Sequence, residues 1–268
     1  MKLGLAQLCI EPADVSGNRR RATESVERAA DAGCDLVVLP ELFTVGYFAF
    51  EAYQRNAEGL DGETLAKLQA VAADRDVAIL AGSLVEDLEL SADAGFDVPE
   101  PAGLANTSVF LDRDGTQRAV YRKHHLFGYD SAESELLVPG ESLPTVDFAG
   151  FTVGVTTCYD LRFPELYRRL VEAGATLVLV PSAWPYPRVE HWRLLPRARA
   201  VENQCYVAAA NGVGRFDDAE LLGRSTVYDP WGTTLAGSDD DPALVTADIS
   251  PEKVADVRES FPALSDRR

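Results

Sequence analysis

Apolar positions along the chain fall into two kinds of run. Continuous runs at residues 3–10, 35–40, 77–85, 151–155, 176–181 and 205–210 read as strands, with 35–40 buried on both faces and 176–181 buried as well. Helical spacing appears at residues 18–32, 60–74, 166–173 and 191–203, with Gly33 and Gly174 as stops for the first and third. Asp112-Arg-Asp-Gly between two alternating stretches predicts a hairpin, and residues 226–236 predict another before a last strand at 243–249. Residues 87–103, acidic and rich in Pro, Gly and Ala, read as an exposed hairpin insertion or mobile loop. No linker divides these elements. Alternating strands and helices with interspersed hairpins predict one α/β domain over residues 1–268, with two sheets and flanking helices.

Composition narrows the function. A hydrophobic share of 46% in 268 residues supplies a real core, so disorder is not expected. No apolar stretch is long enough for a membrane span, and residues 1–10 read as a first strand, not a signal peptide. A cytoplasmic protein is expected. A net charge of −18 argues against a nucleic-acid partner, whose phosphates need Lys and Arg. Lysine occurs only at Lys2, Lys67, Lys123 and Lys253, and such acid-rich, lysine-poor surfaces resemble those of proteins from a high-salt cytoplasm. The clusters around Asp239 and between Glu86 and Glu100 are expected to repel most in dilute buffer. Cys9, Cys34, Cys158 and Cys205 form no Cys-x-x-Cys, and His124, His125 and His191 have no zinc-ligand spacing, so neither a metal site nor a disulfide framework is expected.

The candidate chemistry sits at strand ends. Cys9, Cys34 and Cys205 lie in or beside apolar runs and read as core. Cys158 alone stands where a β-branched run turns toward a helix, whose amino terminus is expected to lower the thiol pKa. Glu41 follows the second strand and Lys123 closes the strand after the hairpin. Taken singly, each has an ordinary reading as a capping acid, a solvated strand end or a small core residue. A carboxylate, an amine and a thiol at three strand ends are the groups that nucleophilic catalysis needs.

Leu39-Pro-Glu-Leu-Phe with Gly46-Tyr47, Tyr121-Arg-Lys-His-His-Leu-Phe, and Cys158-Tyr-Asp-Leu-Arg-Phe-Pro-Glu resemble the signature blocks of the nitrilase superfamily of carbon–nitrogen hydrolases. Glu133, shortly before Pro139-Gly140, resembles that family's auxiliary glutamate. The resemblance runs in order along essentially the whole chain and implies a four-layer α-β-β-α sandwich. It also implies Glu41 as general base, Cys158 as the nucleophile forming a thioester, and Lys123 with the Tyr159 backbone N–H as oxyanion donors. Glu133 would hold Lys123 or Glu41 in place. No metal or organic cofactor is implied.

The block after Cys158 is most similar to the ω-amidase and deaminated-glutathione amidase branches, whose substrates are small amides with a distal carboxylate. Arg162 or Arg188 would bind that carboxylate, Arg162 having an alternative pairing with Asp160 or Glu165. Tyr47, Phe127 and Trp184 would wall the pocket. N-carbamoyl amide hydrolase, nitrilase and an idle oligomeric binding protein are the alternatives. A homodimer is expected, with the carboxyl-terminal arm 261–268 crossing to a partner and Leu170 and Val171 near the interface.

Overall fold

In the computed structural model, which describes residues 1–129 and 131–267, the continuous apolar runs are strands with two covered faces. The strands are β1 (Lys2–Gln7), β2 (Leu36–Val38), β3 (Ala78–Asp87), β4 (Leu104–Leu111), β5 (Gln117–Arg122), β6 (Thr145–Phe148), β7 (Phe151–Val155), β8 (Leu177–Ser182), β9 (Tyr206–Asn211), β10 (Val213–Phe216), β11 (Ala219–Leu222), β12 (Thr226–Tyr228), β13 (Thr234–Gly237) and β14 (Ala243–Asp248). One sheet runs β14-β1-β2-β3-β4-β5 and the other β13-β12-β9-β8-β7-β6, with β10 and β11 as a separate hairpin. In each large sheet the central three strands are parallel: β1, β2 and β3 in one, β7, β8 and β9 in the other.

Because side chains alternate across a strand, a run apolar at every position must be covered twice. Leu36 and Val38 meet Leu177 and Leu179 between the sheets, whereas Val37 and Leu39 join the outer core with Ala22, Val26 and Leu68. Val178 and Val180 point the other way, toward Leu166, Tyr167 and Trp192. The helices covering these outer faces complete the four-layer sandwich. The helices of the chain number, in order, α1 (Val15–Asp31), α2 (Tyr53–Asn56), α3 (Glu63–Arg75), α4 (Leu88–Asp93), α5 (Glu133–Leu136), α6 (Pro164–Glu172), α7 (Val189–Asn203) and α8 (Pro251–Ser260). Asp14 starts α1 by accepting the Gly17 N–H at 3.1 Å, and Pro164 starts α6 where its missing N–H costs nothing.

Two expectations need correction. Residues 87–103 are not a hairpin: Asp87 caps α4 through the N–H groups of Glu89 and Leu90, and Leu88 and Ser91 are buried. The segment is pinned by Leu88 N–H to Gly103 O at 3.0 Å and by Leu60 N–H to Ser91 Oγ at 3.1 Å. Leu170 is fully buried beneath α6 and cannot face a partner. Within its own chain, the arm after α8 makes two contacts: Phe261 O accepts from Gln204, and Arg267 pairs with Glu172. Arg268, the last residue of that arm, lies outside the described residues. The β10–β11 hairpin and α8 are additions that no strong periodicity announced.

Candidate active site

Three strand ends and one helix start converge on one buried cluster. Past β2, the chain passes Pro40 and delivers Glu41, whose N–H bonds to Ser182 O at the end of β8 at 3.3 Å. The passage is close: a Cβ on Gly82 would stand 2.0 Å from Pro40 O, so only glycine fits there. Lys123 follows β5, held by its N–H to Asn106 O at 2.9 Å and by Gly140 N–H to its own carbonyl at 2.9 Å. Past β7, Cys158 has φ 48°, a left-handed conformation unusual for a side chain with a Cβ, and opens a single turn over Cys158–Arg162. Glu133 comes from the start of α5.

Lys123 Nζ lies 2.9 Å from Glu41 Oε1, 2.7 Å from Glu133 Oε1 and 3.0 Å from Glu133 Oε2. All three side chains are at most 1% exposed. Glu133 Oε2 also accepts from the Tyr47 hydroxyl at 3.0 Å and the Phe127 N–H at 2.7 Å. The other oxygen of Glu41 accepts the Ala183 N–H at 2.8 Å, and the Cys158 thiol lies close enough to feel the Glu41 charge. The sequence reading missed Asn106, whose Nδ2 donates to Glu41 at 2.9 Å and to Glu133 at 3.3 Å. The available signal was a polar run, Asn106-Thr-Ser, between apolar residues of one strand.

Burial dominates the protonation of this cluster. It raises the Glu41 carboxyl above the usual range, against the pull of the Lys123 charge, while nearby Glu133 adds to the rise. The Cys158 thiol is pushed well above its ordinary value by burial and then by the Glu41 charge, with Lys123 opposing. That corrects the expectation of a lowered thiol pKa. The α-helix starts only at Pro164, six residues past the sulfur, and desolvation by burial sets the direction. Lys123 is raised well above an ordinary lysine: burial works against its charge, but Glu133 and Glu41 overcome it.

Above the cluster opens a cavity of about 710 Å³ whose lining includes Lys123, Cys158, Tyr47, Phe127, Tyr159, Trp184, Arg162 and Arg188. None of residues 87–103 lines it. Arg162 does not pair with Asp160 or Glu165. Its guanidinium lies 5.1 Å from the Trp184 ring centroid and 5.7 Å from that of Tyr159, and one nitrogen is 3.1 Å from His191 Nδ1. Asp160 is already occupied by Tyr121, His125 and Thr157. Arg188 stands over Phe127 at 5.7 Å. Among the described residues neither arginine is ion-paired.

A thiol beside a carboxylate, with an ammonium acting on both and an open cavity above, defines the nucleophilic hydrolase class of site. The profile described as carbon–nitrogen hydrolase matches residues 2–259, and the chain belongs to that family, within the nitrilase superfamily. It is 39% identical to the 2-oxoglutaramate amidase of Paenarthrobacter nicotinovorans, over 87% of this chain and 78% of that one. It is 37% identical to the omega-amidase NIT2 of Homo sapiens, over 100% of this chain and 95% of that protein.

Among solved structures, Saccharomyces cerevisiae Nit3, a member of branch 10 of the nitrilase superfamily, superposes with a TM-score of 0.88 at 30% identity, covering 100% of this chain and 96% of that one. An amidase from Nesterenkonia sp. AN1, solved as a mutant with acrylamide added at its active-site cysteine, gives 0.81 at 30% identity over 99% of both chains. The chain is thus a hydrolase of carbon–nitrogen bonds, built as the four-layer sandwich of that superfamily.

Proposed function

We propose that the whole chain is one catalytic unit, a cytoplasmic ω-amidase that hydrolyses a small linear amide bearing a carboxylate at its far end. The observation that carries this reading is the meeting of Glu41, Lys123 and Cys158 at the floor of a cavity whose walls present two arginines that have no ion-pair partner among the described residues. Cys158 Sγ attacks the amide carbon while Glu41, its carboxyl raised toward the working pH, takes the thiol proton. The oxygen becomes an oxyanion facing Lys123 Nζ and the Tyr159 N–H, each such donor being worth about 3–4 kcal/mol. Glu41 returns the proton to the departing nitrogen, ammonia leaves, and a thioester remains. Glu41 then deprotonates water, which attacks the thioester and regenerates the thiol. Glu133 keeps Lys123 charged and aimed.

Substrate choice follows from the cavity. Arg162, on the faces of Trp184 and Tyr159, is placed to clasp a carboxylate, with Arg188 nearby. Tyr47, Phe127 and Trp184 enclose the carbon chain. Ammonia release is expected from 2-oxoglutaramate and similar ω-amides, with far less from uncharged butyramide, nitriles or N-carbamoyl amino acids. Arg162→Gln is expected to raise KM about tenfold or more, the loss of one charge-assisted contact. Carbon dioxide released together with ammonia from a carbamoyl substrate would move the enzyme to the N-carbamoyl hydrolases.

Free thiols at Cys9, Cys34, Cys158 and Cys205 suit the reducing cytoplasm assigned above. For assembly, one face offers Leu194 and Val201 from α7 with Trp231 and Phe261, exposed by 63%, 49%, 47% and 55%. Leu194 and Val201 are seven apart on one helical stripe, and Trp231 stacks near Phe261 with centroids 6.0 Å apart. That face is the homodimer surface of this proposal. Val201→Glu is expected to convert a dimer to a monomer in light scattering at micromolar concentration, and a monomeric parent protein removes the idea.

The acidic surface belongs to a salt-adapted protein in this reading. Of the two clusters expected to repel, part is already balanced: Glu86 is buried against Arg122, and Arg224 holds Asp240 below the usual carboxylate range. The salt response must therefore come from the remaining excess in the net charge of −18. Shortening the Debye length from about 10 Å at 0.1 M to about 3 Å at 1 M is expected to raise the melting temperature in potassium chloride. A midpoint that is flat or falling from 0.1 to 3 M contradicts it.

A further inference from the structure

Asp160 is wholly buried and takes four hydrogen bonds from two separate segments. Its Oδ2 accepts from the Tyr121 hydroxyl at 2.6 Å and the Thr157 N–H at 2.9 Å. Its Oδ1 accepts from the His125 N–H at 3.0 Å and lies 2.7 Å from His125 Nδ1. Tyr121 and His125 flank Lys123 on either side in sequence. Thr157 immediately precedes Cys158, and Asp160 immediately follows Tyr159. One carboxylate therefore ties the segment carrying the ammonium to the turn carrying the nucleophile and the Tyr159 N–H. His125 also lies flat on Phe163, with centroids 3.7 Å apart and rings 9° from parallel, which grips the far end of the same turn.

We propose that Asp160, with His125 as its partner, is a positioning residue that sets the gap between the Cys158 sulfur and the two oxyanion donors. The left-handed backbone at Cys158 persists only where its surroundings over-determine it. Asp160 supplies that constraint by accepting from Thr157 N–H, while its own N–H bonds back to Thr157 O at 3.0 Å. A shift of about 1 Å between sulfur and donors would leave the thiol in place yet spoil the oxyanion contacts. The proposal rests on the oxyanion role given above to Lys123 and Tyr159.

Two reactions of the same sulfur separate positioning from mere support. Amide hydrolysis builds an oxyanion, whereas alkylation by iodoacetamide displaces iodide at a saturated carbon and builds none. For Asp160→Asn, kcat on 2-oxoglutaramate is expected to fall at least about tenfold, with KM and the iodoacetamide rate at Cys158 each within about threefold of the parent. His125→Phe keeps the stack on Phe163 and removes one donor from a side chain 32% exposed, so it reports even if Asp160→Asn fails to fold. It is expected to show the same split in milder form, and His125→Gln, which retains an N–H, to recover most of kcat. Unchanged kcat in the folded variants, or alkylation falling in step with kcat, overturns the proposal while the amidase reading stands. Absence of ammonia release from the unaltered protein would remove that reading, and this proposal with it.

Discussion

Cys158→Ala is expected to end ammonia release while the protein still folds. The side chain packs against Leu161, Trp184 and their neighbours, but deleting one sulfur that borders an open cavity leaves little new void. A melting temperature within a few degrees of the parent is the expected result. Turnover should fall by more than roughly 10⁴-fold, the scale on which hydrolases lose activity with their nucleophile. Cys158→Ser should be nearly as inactive, because a serine hydroxyl is far less acidic than a thiol and Glu41 is a weak base for it. Glu41→Gln removes the proton acceptor and should stop acylation as well. The measurement is single-turnover ammonia release from 2-oxoglutaramate, run beside thermal melts. Retention by Cys158→Ala of more than a few per cent of turnover would falsify the nucleophile assignment.

How far the chain announced this site differs from group to group. Residues 36–38 and 177–182 were legible as strands because a run apolar at every position has to be covered on both faces, and the two sheets with their outer helices do so. Glu41, Lys123 and Cys158 were legible as strand-end chemistry. Their meeting was not: residues so far apart in sequence converge only through sheet order and the face-to-face packing of the sheets, which spacing cannot encode. The resemblance of the three sequence blocks supplied that step.

Local composition misled where tertiary contacts decide. Proline, glycine and acids made residues 87–103 look loose, yet Asp87 is a helix cap and Leu88 is buried. The thiol looked activated because a helix follows it closely in sequence, but burial depends on everything packed around the sulfur and sets the opposite direction. Asp160 looked like a partner for Arg162, and its four bonds come instead from Tyr121, His125 and Thr157, residues no nearer in sequence. Asn106 lay unmarked in the stretch before the Asp112 hairpin turn. Its work is to bring one amide group between two carboxylates that would otherwise repel at close range.

Lys123→Met should give the largest loss of stability of any single change at the site. The ammonium sits between two wholly buried carboxylates and is the only cation bonded to either among the described residues. Methionine matches the stem of lysine in volume, so the loss is one of charge, not packing. Removing one partner of a buried pair costs about 3–5 kcal/mol, because the other is left charged and dry. For a chain of this size that is roughly 6–20 °C in melting temperature at neutral pH.

The sign of the pH dependence tests the cause. Glu41 is already raised in the folded protein by burial, and losing the Lys123 charge can only raise it further. A carboxyl raised on folding favours the folded state most below its unfolded pKa, and that advantage is lost as pH rises through its folded pKa. The variant should therefore recover in acid. Its deficit against the parent, measured in the same buffers, should narrow as pH falls from 8 toward 5.5, the reverse of ordinary acid sensitivity. Subtracting the parent melt at each pH removes the carboxylates elsewhere on the surface, which titrate alike in both proteins. A deficit of constant size across that window would mean that Lys123 supports the fold through packing, and that its charge is not what holds Glu41 and Glu133 together.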